Sequence, residues 1–254
     1  MPTPNALPRV RATRYVTPLR EGGSLPGLVE ADDCGMYVTK FRGAGQGTRA
    51  LVAEVIVGEL ARMLGFRVPT LAVVDVDPRL AAAEPDPEIQ ELIAASAGAN
   101  LGVDFLPGSL PYLPGGAYLP SPAEAADVVW LDALTTNVDR TPRNPNLLVW
   151  HGQLWLIDHG ASLYLQHQGL ARADPCRPFA LIAEHVLLPV AGSIAEAGAR
   201  LAGRVDRAAL EAATEVVPSD WLAPGDGPDV YVDYLCARLA DGGFAREAED
   251  ARVR

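Results

Sequence analysis

Lysine is almost missing from this chain. Its 21 basic residues are overwhelmingly arginine, so a lysine retained at Lys40 carries information. No stretch approaches the ~18 uncharged apolar residues of a membrane span. The most apolar long segment, residues 51–66, is interrupted by Glu54, Glu59 and Arg62 and reads as an amphipathic helix. The opening MPTPNALPRVRATRYV lacks the apolar centre of an export signal, so a cytoplasmic location is expected. Cysteine is scarce too. Cys34, Cys176 and Cys236 are odd in number, far apart and without paired metal spacing, so buried thiols in a reducing compartment are expected. Positive charge is outnumbered: 21 basic against 32 acidic side chains gives −11. That balance disfavours nucleic acid, whose affinity rests on neutralising phosphates, and an anionic membrane. It leaves room for a small polyanion that arrives with a divalent cation. No internal repeat is present.

What remains is the composition of a globular protein. About half of the 254 residues are apolar, enough for one large domain or two modest ones. Residues 12–18, 26–31 and 36–42 read as strands, the last alternating with period two. Leu51, Val55, Leu60 and Leu64 keep helical spacing up to Gly65, a C-cap. VPTLAVVDVD reads as a further strand, 79–97 as an acidic, alanine-rich helical insertion, and NLGVDFLPG as a strand running into a bend. Beyond the Pro/Gly-dense LPGSLPYLPGGAYLPSP, helices dominate. Ser121-Pro122-Ala123-Glu124 is a capping box that starts a helix to about Thr135. NLLVW and QLWLID flank His151-Gly152 as a tight hairpin. Helical stretches are expected near 177–200, 206–216 and 228–240. The fold class expected is therefore α+β in two lobes. Residues 1–106 form the small β-sheet N-lobe with one main helix, 107–240 the mostly helical C-lobe, and 241–254 a flexible tail.

The stretch TNVDRTPRNPNLLVWHGQLWLIDHGASL concentrates the polar chemistry. A hairpin turning near His151 brings Asn144 to Asn146 and Asp158 to the same end of the ribbon. Two such oxygen donors, with phosphate oxygens and water, suit Mg²⁺. Asp139 would then lie beside that ion, free to accept a proton from a hydroxyl or to orient it. Asx-turns and caps are the plain alternative. Against that alternative, Asp158 follows the apolar strand LWLI, where a carboxylate without a cation or donors is costly. Asn146 stays open, as a turn former or a metal ligand. Lys40 shares a strand face with Met36 and Val38 and needs an anion there, either Glu54 or a ligand phosphate. Gly22 and Gly23, between two strands, can let backbone N–H groups approach phosphates or can simply turn the chain.

A strand lysine, a helix glutamate, a bend, Asp139 with Asn144 five residues on, and an Asp-x-Gly after a hairpin follow the order of parts in protein-kinase-like phosphotransferases. More narrowly, YVTKFRG, LVAEVIVGELARMLGFRVP, NVDRTPRNPNLL and LWLIDHGASL resemble the HipA-like kinases over most of residues 12–168. The resemblance implies a two-lobed fold in which Lys40 binds the α/β-phosphates of ATP and pairs with Glu54. It implies Asp139 as the catalytic aspartate, Asn144 and Asp158 as Mg²⁺ ligands, and adenine against the backbone at Asp104, Phe105 and Leu106. The chain departs from protein kinases in having Asn-Val-Asp for His-Arg-Asp, Asp-His-Gly for Asp-Phe-Gly, and neither Ala-Pro-Glu nor Gly-x-Gly-x-x-Gly. The activity implied is ATP- and Mg²⁺-dependent transfer of the γ-phosphate to a hydroxyl, as a serine/threonine kinase acting on a protein or on itself. A small-molecule or lipid-type kinase and a non-catalytic nucleotide-binding pseudokinase are the alternatives.

Overall fold

A computed structural model of the chain describes residues 6–19, 25–45 and 47–254. It divides into two compact units, Met1–Val52 with Pro69–Pro107 and Ala53–Val68 with Gly108–Arg254. Strands dominate the first and helices the second, an α+β fold. No helix among the described residues is long and apolar enough to cross a membrane.

In the first unit, strands β1 (Arg9–Pro18), β2 (Gly27–Ala31), β3 (Met36–Lys40), β4 (Leu71–Val76) and β5 (Gly98–Asp104) close into a barrel of order β1-β2-β3-β5-β4. β1 runs parallel to β4 and every other neighbouring pair is antiparallel. Closure leaves no strand edge exposed along these partners. The alternation of β3 is clean: Tyr37 and Thr39 are buried, while Met36, Val38 and Lys40 are half-buried. Val29, Tyr37, Phe41, Val74 and Ile93 belong to the core. Gly102 on β5 has a packing reason, because a Cβ there would lie 2.5 Å from the Val74 side chain. The insertion after β4 is two pieces rather than one helix. Asp77-Pro78 starts a 3-10 turn, Pro78–Ala83, and Asp86-Pro87 starts α2, Pro87–Ala95, each aspartate accepting an N–H two residues on.

Helix α1, Gly47–Leu64, is buried on nearly every face from Ala50 to Ala61 instead of along one stripe, and Glu54 is only 2% exposed. It ends as a Schellman motif. Gly65 takes φ +92°, its N–H bonds the Arg62 carbonyl at 3.0 Å, and the Phe66 N–H bonds the Ala61 carbonyl at 3.0 Å.

The second unit is organised around α3, Pro122–Thr135. Ser121 caps it by accepting the Glu124 N–H at 3.1 Å, and the helix is buried from Ala125 to Thr135 except at Asp127. The last carbonyls of a helix run short of intrahelical donors; here Asp132 O still takes the Thr136 N–H, and all four find donors beyond the helix. Asp132 O accepts from Asn137 N–H at 3.0 Å and Thr135 O from Leu163 N–H at 2.7 Å. Ala133 O and Leu134 O both accept from the buried Arg238 guanidinium, at 2.9 Å each. Strands β7 (Leu147–Trp150) and β8 (Gln153–Leu156) form the hairpin, with His151 and Gly152 both at positive φ as a type I′ turn requires. A short strand, β6 (Leu110–Pro111), adds a third member beside β7.

Three expectations need correction. Residues 177–200 are not one helix: 3-10 turns at Ala180–Glu184 and Leu188–Val190 precede α4, Ile194–Leu201, because Pro189 and Gly192 interrupt the pattern and Ser193 caps a new start. Helices α5 (Arg207–Glu215) and α6 (Pro228–Asp241) follow. Residues 241–254 do not form a flexible tail but hold α7, Gly243–Val253. Phe244 packs edge-on against Trp130 at 5.5 Å, and Glu249 accepts the N–H groups of Ile194 at 2.6 Å and Ala195 at 3.1 Å, an anion at the α4 N-terminus. Two of the cysteines, Cys34 and Cys176, are exposed rather than buried, each sitting in a polar turn. Phe244→Ala should therefore lower the unfolding free energy by about 3–5 kcal/mol, read as a lower urea midpoint. An unchanged midpoint would return the C-terminus to a frayed tail.

Candidate active site

The catalytic candidates of the second unit hang from the end of α3. Thr136 takes φ +52°, a left-handed conformation unfavourable for a β-branched residue, and reverses the chain under its own helix. Asn137 fixes that reversal from both sides. Its Nδ2 donates to Asp132 Oδ1 at 3.2 Å and its Oδ1 accepts the Asp139 N–H at 3.1 Å. Thr141-Pro142-Arg143-Asn144 is a tight turn, with Thr141 and Asn144 exchanging backbone hydrogen bonds at 3.1 Å each. The turn returns Asn144 to Asp139, where its Nδ2 donates to Oδ2 at 2.7 Å; Asn146 Nδ2 donates to the same oxygen at 3.3 Å. The hairpin then brings the chain back, and the Ile157 N–H bonds the Asn146 carbonyl at 3.1 Å. Asp158 follows with φ +55°.

Asp139 and Asp158 are electrostatically coupled. Burial pushes the Asp139 carboxyl above its ordinary value and the Asp158 charge adds to that, while the Asn146 and Asn144 hydrogen bonds and Arg140 oppose it. A carboxylate that is half-buried beside a second acidic side chain is a place where a nearby cation would be favourable. The donor chemistry fits a hard divalent ion: Asn144 spends its amide N–H on Asp139, which directs its Oδ1 elsewhere, and Asp158 supplies a carboxylate. No group of three or more His, Cys, Asp or Glu side chains among the described residues makes a closed metal cage. Asn146 is turned to Asp139 through its amide nitrogen and sits at φ +50°, so both turn geometry and Asp139 orientation occupy it.

Behind this cluster lies a polar core that the sequence reading does not identify. Asp132 is fully buried and receives Arg140 Nε at 2.5 Å and His185 Nε2 at 2.8 Å. Arg140 is also buried; one of its terminal nitrogens donates to the Asn146 carbonyl and to the Ile157 carbonyl (3.3 Å), and the other lies 3.3 Å from His159 Nδ1. The Arg140 carbonyl accepts the Val186 N–H at 3.0 Å. His185 Nδ1 accepts the Leu187 N–H at 3.1 Å, so it carries no proton. The proton sits on Nε2 and the ring is neutral, even though its Asp132 contact has the length of an ion pair. Burial lowers the His185 proton affinity, and Arg140 assists, against the pull of Asp132. Burial pushes Asp132 upward, but the Arg140 charge and the His185 hydrogen bond outweigh it and hold the carboxyl well below the usual range. A signal for Asp132 existed: it is a lone acid in the apolar run VVWLDAL, open to the same cost argument as Asp158.

In the first unit, Lys40 ends β3 opposite Leu101, and Asp104 lies at the other end of the same strand pair, opposite Tyr37. The Asp104 N–H bonds Thr70 O and the Phe105 N–H bonds Met36 O, each at 2.9 Å, so neither amide is open to a ligand. Leu106 is buried. Glu54 lies mid-way along α1. Gly22 and Gly23 lie outside the described residues.

The histidine shift carries a definite pH sign. Where the folded value is lowered, the unfolded chain binds more protons on the acid side, so stability rises with pH. The His185 contribution is complete above the ordinary value of 6.5 and is lost as pH falls from there through the lowered folded value. That of Asp132 is lost only in stronger acid, below 3.8. The urea midpoint should fall between about pH 7 and about pH 5. His185→Gln, which keeps a donor toward Asp132 and does not titrate, should lose less over the same range; equal losses would refute the neutral buried ring.

A family model described as HipA-like kinase matches residues 13–238. No curated protein matches the chain. Among solved structures, the Helicobacter pylori proinflammatory kinase CtkA aligns over 97% of this chain and 98% of its own, with a TM-score of 0.57 and 12% identity. The Golgi casein kinase aligns over 97% of this chain and 74% of its own, at 0.52 and 13%. The same kinase with Mn/ADP bound aligns over 96% and 73%, at 0.50 and 14%. At these identities the likeness establishes a kinase fold. With that fold, and a family match that spans nearly the whole chain, the protein belongs to the HipA-like kinases.

Proposed function

We propose that the chain is an ATP- and Mg²⁺-dependent phosphotransferase that passes the γ-phosphate to a serine or threonine hydroxyl of a protein, its own chain included. The observation that carries this reading is Asp139. Both amide hydrogen bonds to its carboxylate, from Asn144 and Asn146, fall on Oδ2, which leaves Oδ1 as the oxygen assigned to an incoming hydroxyl. Its raised proton affinity suits it to accept that proton as the new phosphate ester forms. Asn144 and Asp158 would hold Mg²⁺, which when bound neutralises phosphate charge. Asn146 is assigned to orienting Asp139, through the amide nitrogen that it donates to the carboxylate beside that of Asn144.

Lys40 is assigned to the α/β-phosphates, with Glu54 as its partner; a glutamate only 2% exposed needs a cation or donors to stay ionised. Gly22 and Gly23 are assigned to the phosphates through their backbone amides. Of the three positions proposed for adenine, Leu106 is the one whose N–H is not already spent on a neighbouring strand, so the hinge hydrogen bond is assigned there. The Mn/ADP complex of the Golgi casein kinase favours a nucleotide with a divalent cation, and that protein's name favours a protein acceptor.

Label from γ-labelled ATP should appear in protein or inorganic phosphate with the wild type. In Asp139→Ala it should fall by roughly 10²–10⁴-fold, the range for loss of a general base; equal rates would sink the assignment. Asp158→Ala should lose the metal-dependent part of ADP affinity in calorimetry and keep the metal-free part. Unchanged metal dependence would leave Asp158 as a turn residue.

A further inference from the structure

Arg140 is placed next to Asp139 in sequence yet points the opposite way, into the protein. One guanidinium there meets the Asp132 carboxylate at 2.5 Å, the carbonyls of Asn146 and Ile157, and His159 Nδ1 at 3.3 Å. The two carbonyls are the informative partners. Asn146 closes the loop that orients Asp139, and Ile157 immediately precedes Asp158. Both Asn146 and Asp158 are at positive φ, +50° and +55°, conformations that persist only where the surroundings over-determine them. We propose that Arg140 is a positioning residue for phosphoryl transfer: by bonding the Asn146 and Ile157 carbonyls at once, it fixes the loop of Asp139 against the strand end of Asp158. The proposal rests on the phosphotransferase reading above.

The supporting groups come from two separate parts of the chain. Asp132 lies on α3, His185 follows the 3-10 turn Ala180–Glu184, and Val186 clamps the Arg140 backbone from the same segment. Asp132 fixes the guanidinium plane through Nε, which leaves one terminal nitrogen aimed at both carbonyls and the other at His159 Nδ1. Arginine is required by geometry. A lysine ammonium is one point on a flexible stem and does not serve a carboxylate, two carbonyls and an imidazole from fixed directions.

A purely structural ion pair makes a different forecast. Buried pairs can often be replaced with little loss of function, so the variant would melt earlier and turn over normally while folded. A positioning residue instead lowers kcat in folded protein, because a displacement of about 1 Å in a reacting group can cost roughly 10²-fold.

The full chain is assayed for Mg²⁺-dependent ATP turnover well below each variant's melting temperature, as wild type, Arg140→Lys and Asp132→Asn. Expected for Arg140→Lys is a kcat lower by about 10²-fold with KM for ATP within about threefold of wild type. Asp132→Asn, which keeps the guanidinium and removes its counter-charge, should fall by about tenfold and serves if Arg140→Lys does not fold. In calorimetry, ADP affinity with Mn²⁺ should stay within the same factor of about three in both variants, and metal-free affinity should hold. Wild-type kcat in a folded variant overturns the positioning role alone. Absence of turnover in the wild type overturns the phosphotransferase reading and this proposal with it.

Discussion

The contact between Arg140 and Asp132 lies at the junction of the second unit's candidate active site. Burying an ion pair is expensive, because two charges leave water and their mutual attraction repays the loss only with good geometry and additional hydrogen bonds. Both conditions are met. Asp132 has donors in Asn137, Arg140 and His185, and Arg140 has acceptors in Asp132, Asn146 and Ile157 with His159 beside it. The pair therefore works as a junction. Helix α3, the loop to Asn146, the end of β8 and the segment at His185 meet in it, and loss of either charge would leave buried groups unpaired in all of them.

Strain is distributed around that junction in a consistent way. Thr136, Asn146, Asp158 and Leu163 all adopt left-handed backbone conformations within one short region. Three of them are pinned nearby: Thr136 by the Asn137 bond to Asp132 O, Leu163 by its N–H on Thr135 O, and Asn146 by Ile157 and Arg140. The carbonyls that α3 leaves open at its end are the anchors for two of these positions. A helix terminus, usually a place where chains fray, here becomes the reference frame for Asp139. Arg238 completes it by closing the remaining two carbonyls while stacking over Phe244 at 5.7 Å, so α7 supports the same frame from behind.

Much of this is legible in the sequence where the signal is local. Ser121-Pro122-Ala123-Glu124, His151-Gly152 and Gly65 each carry the conformational requirement of their own turn or cap. Asp158 stands out because a carboxylate after an apolar strand needs a reason, and Asp139 and Asn144 because they lie five residues apart in one polar, turn-rich segment. Closure of the barrel does not stand out, since it depends on β1 pairing parallel with β4 more than fifty residues away. Helix α7 is hidden because only Phe244 and Ala248 of its charged sequence are buried. Arg140 and Asp132 are hidden for opposite reasons. The arginine looks like one more loop charge, and the aspartate is a single acidic letter in an apolar helix whose partners lie 5, 8 and 53 residues away.

A crystal structure of the full chain with ADP and Mn²⁺ tests the proposed division of labour between Asp139 and Asp158 most directly. The prediction is a cation ligated by Asn144 Oδ1 and an Asp158 oxygen, with Asp139 still held by Asn144 and Asn146 and Arg140 still on the Asn146 and Ile157 carbonyls. A cation bound elsewhere, or one ligated by Asp139 with Arg140 withdrawn from those carbonyls, would contradict it.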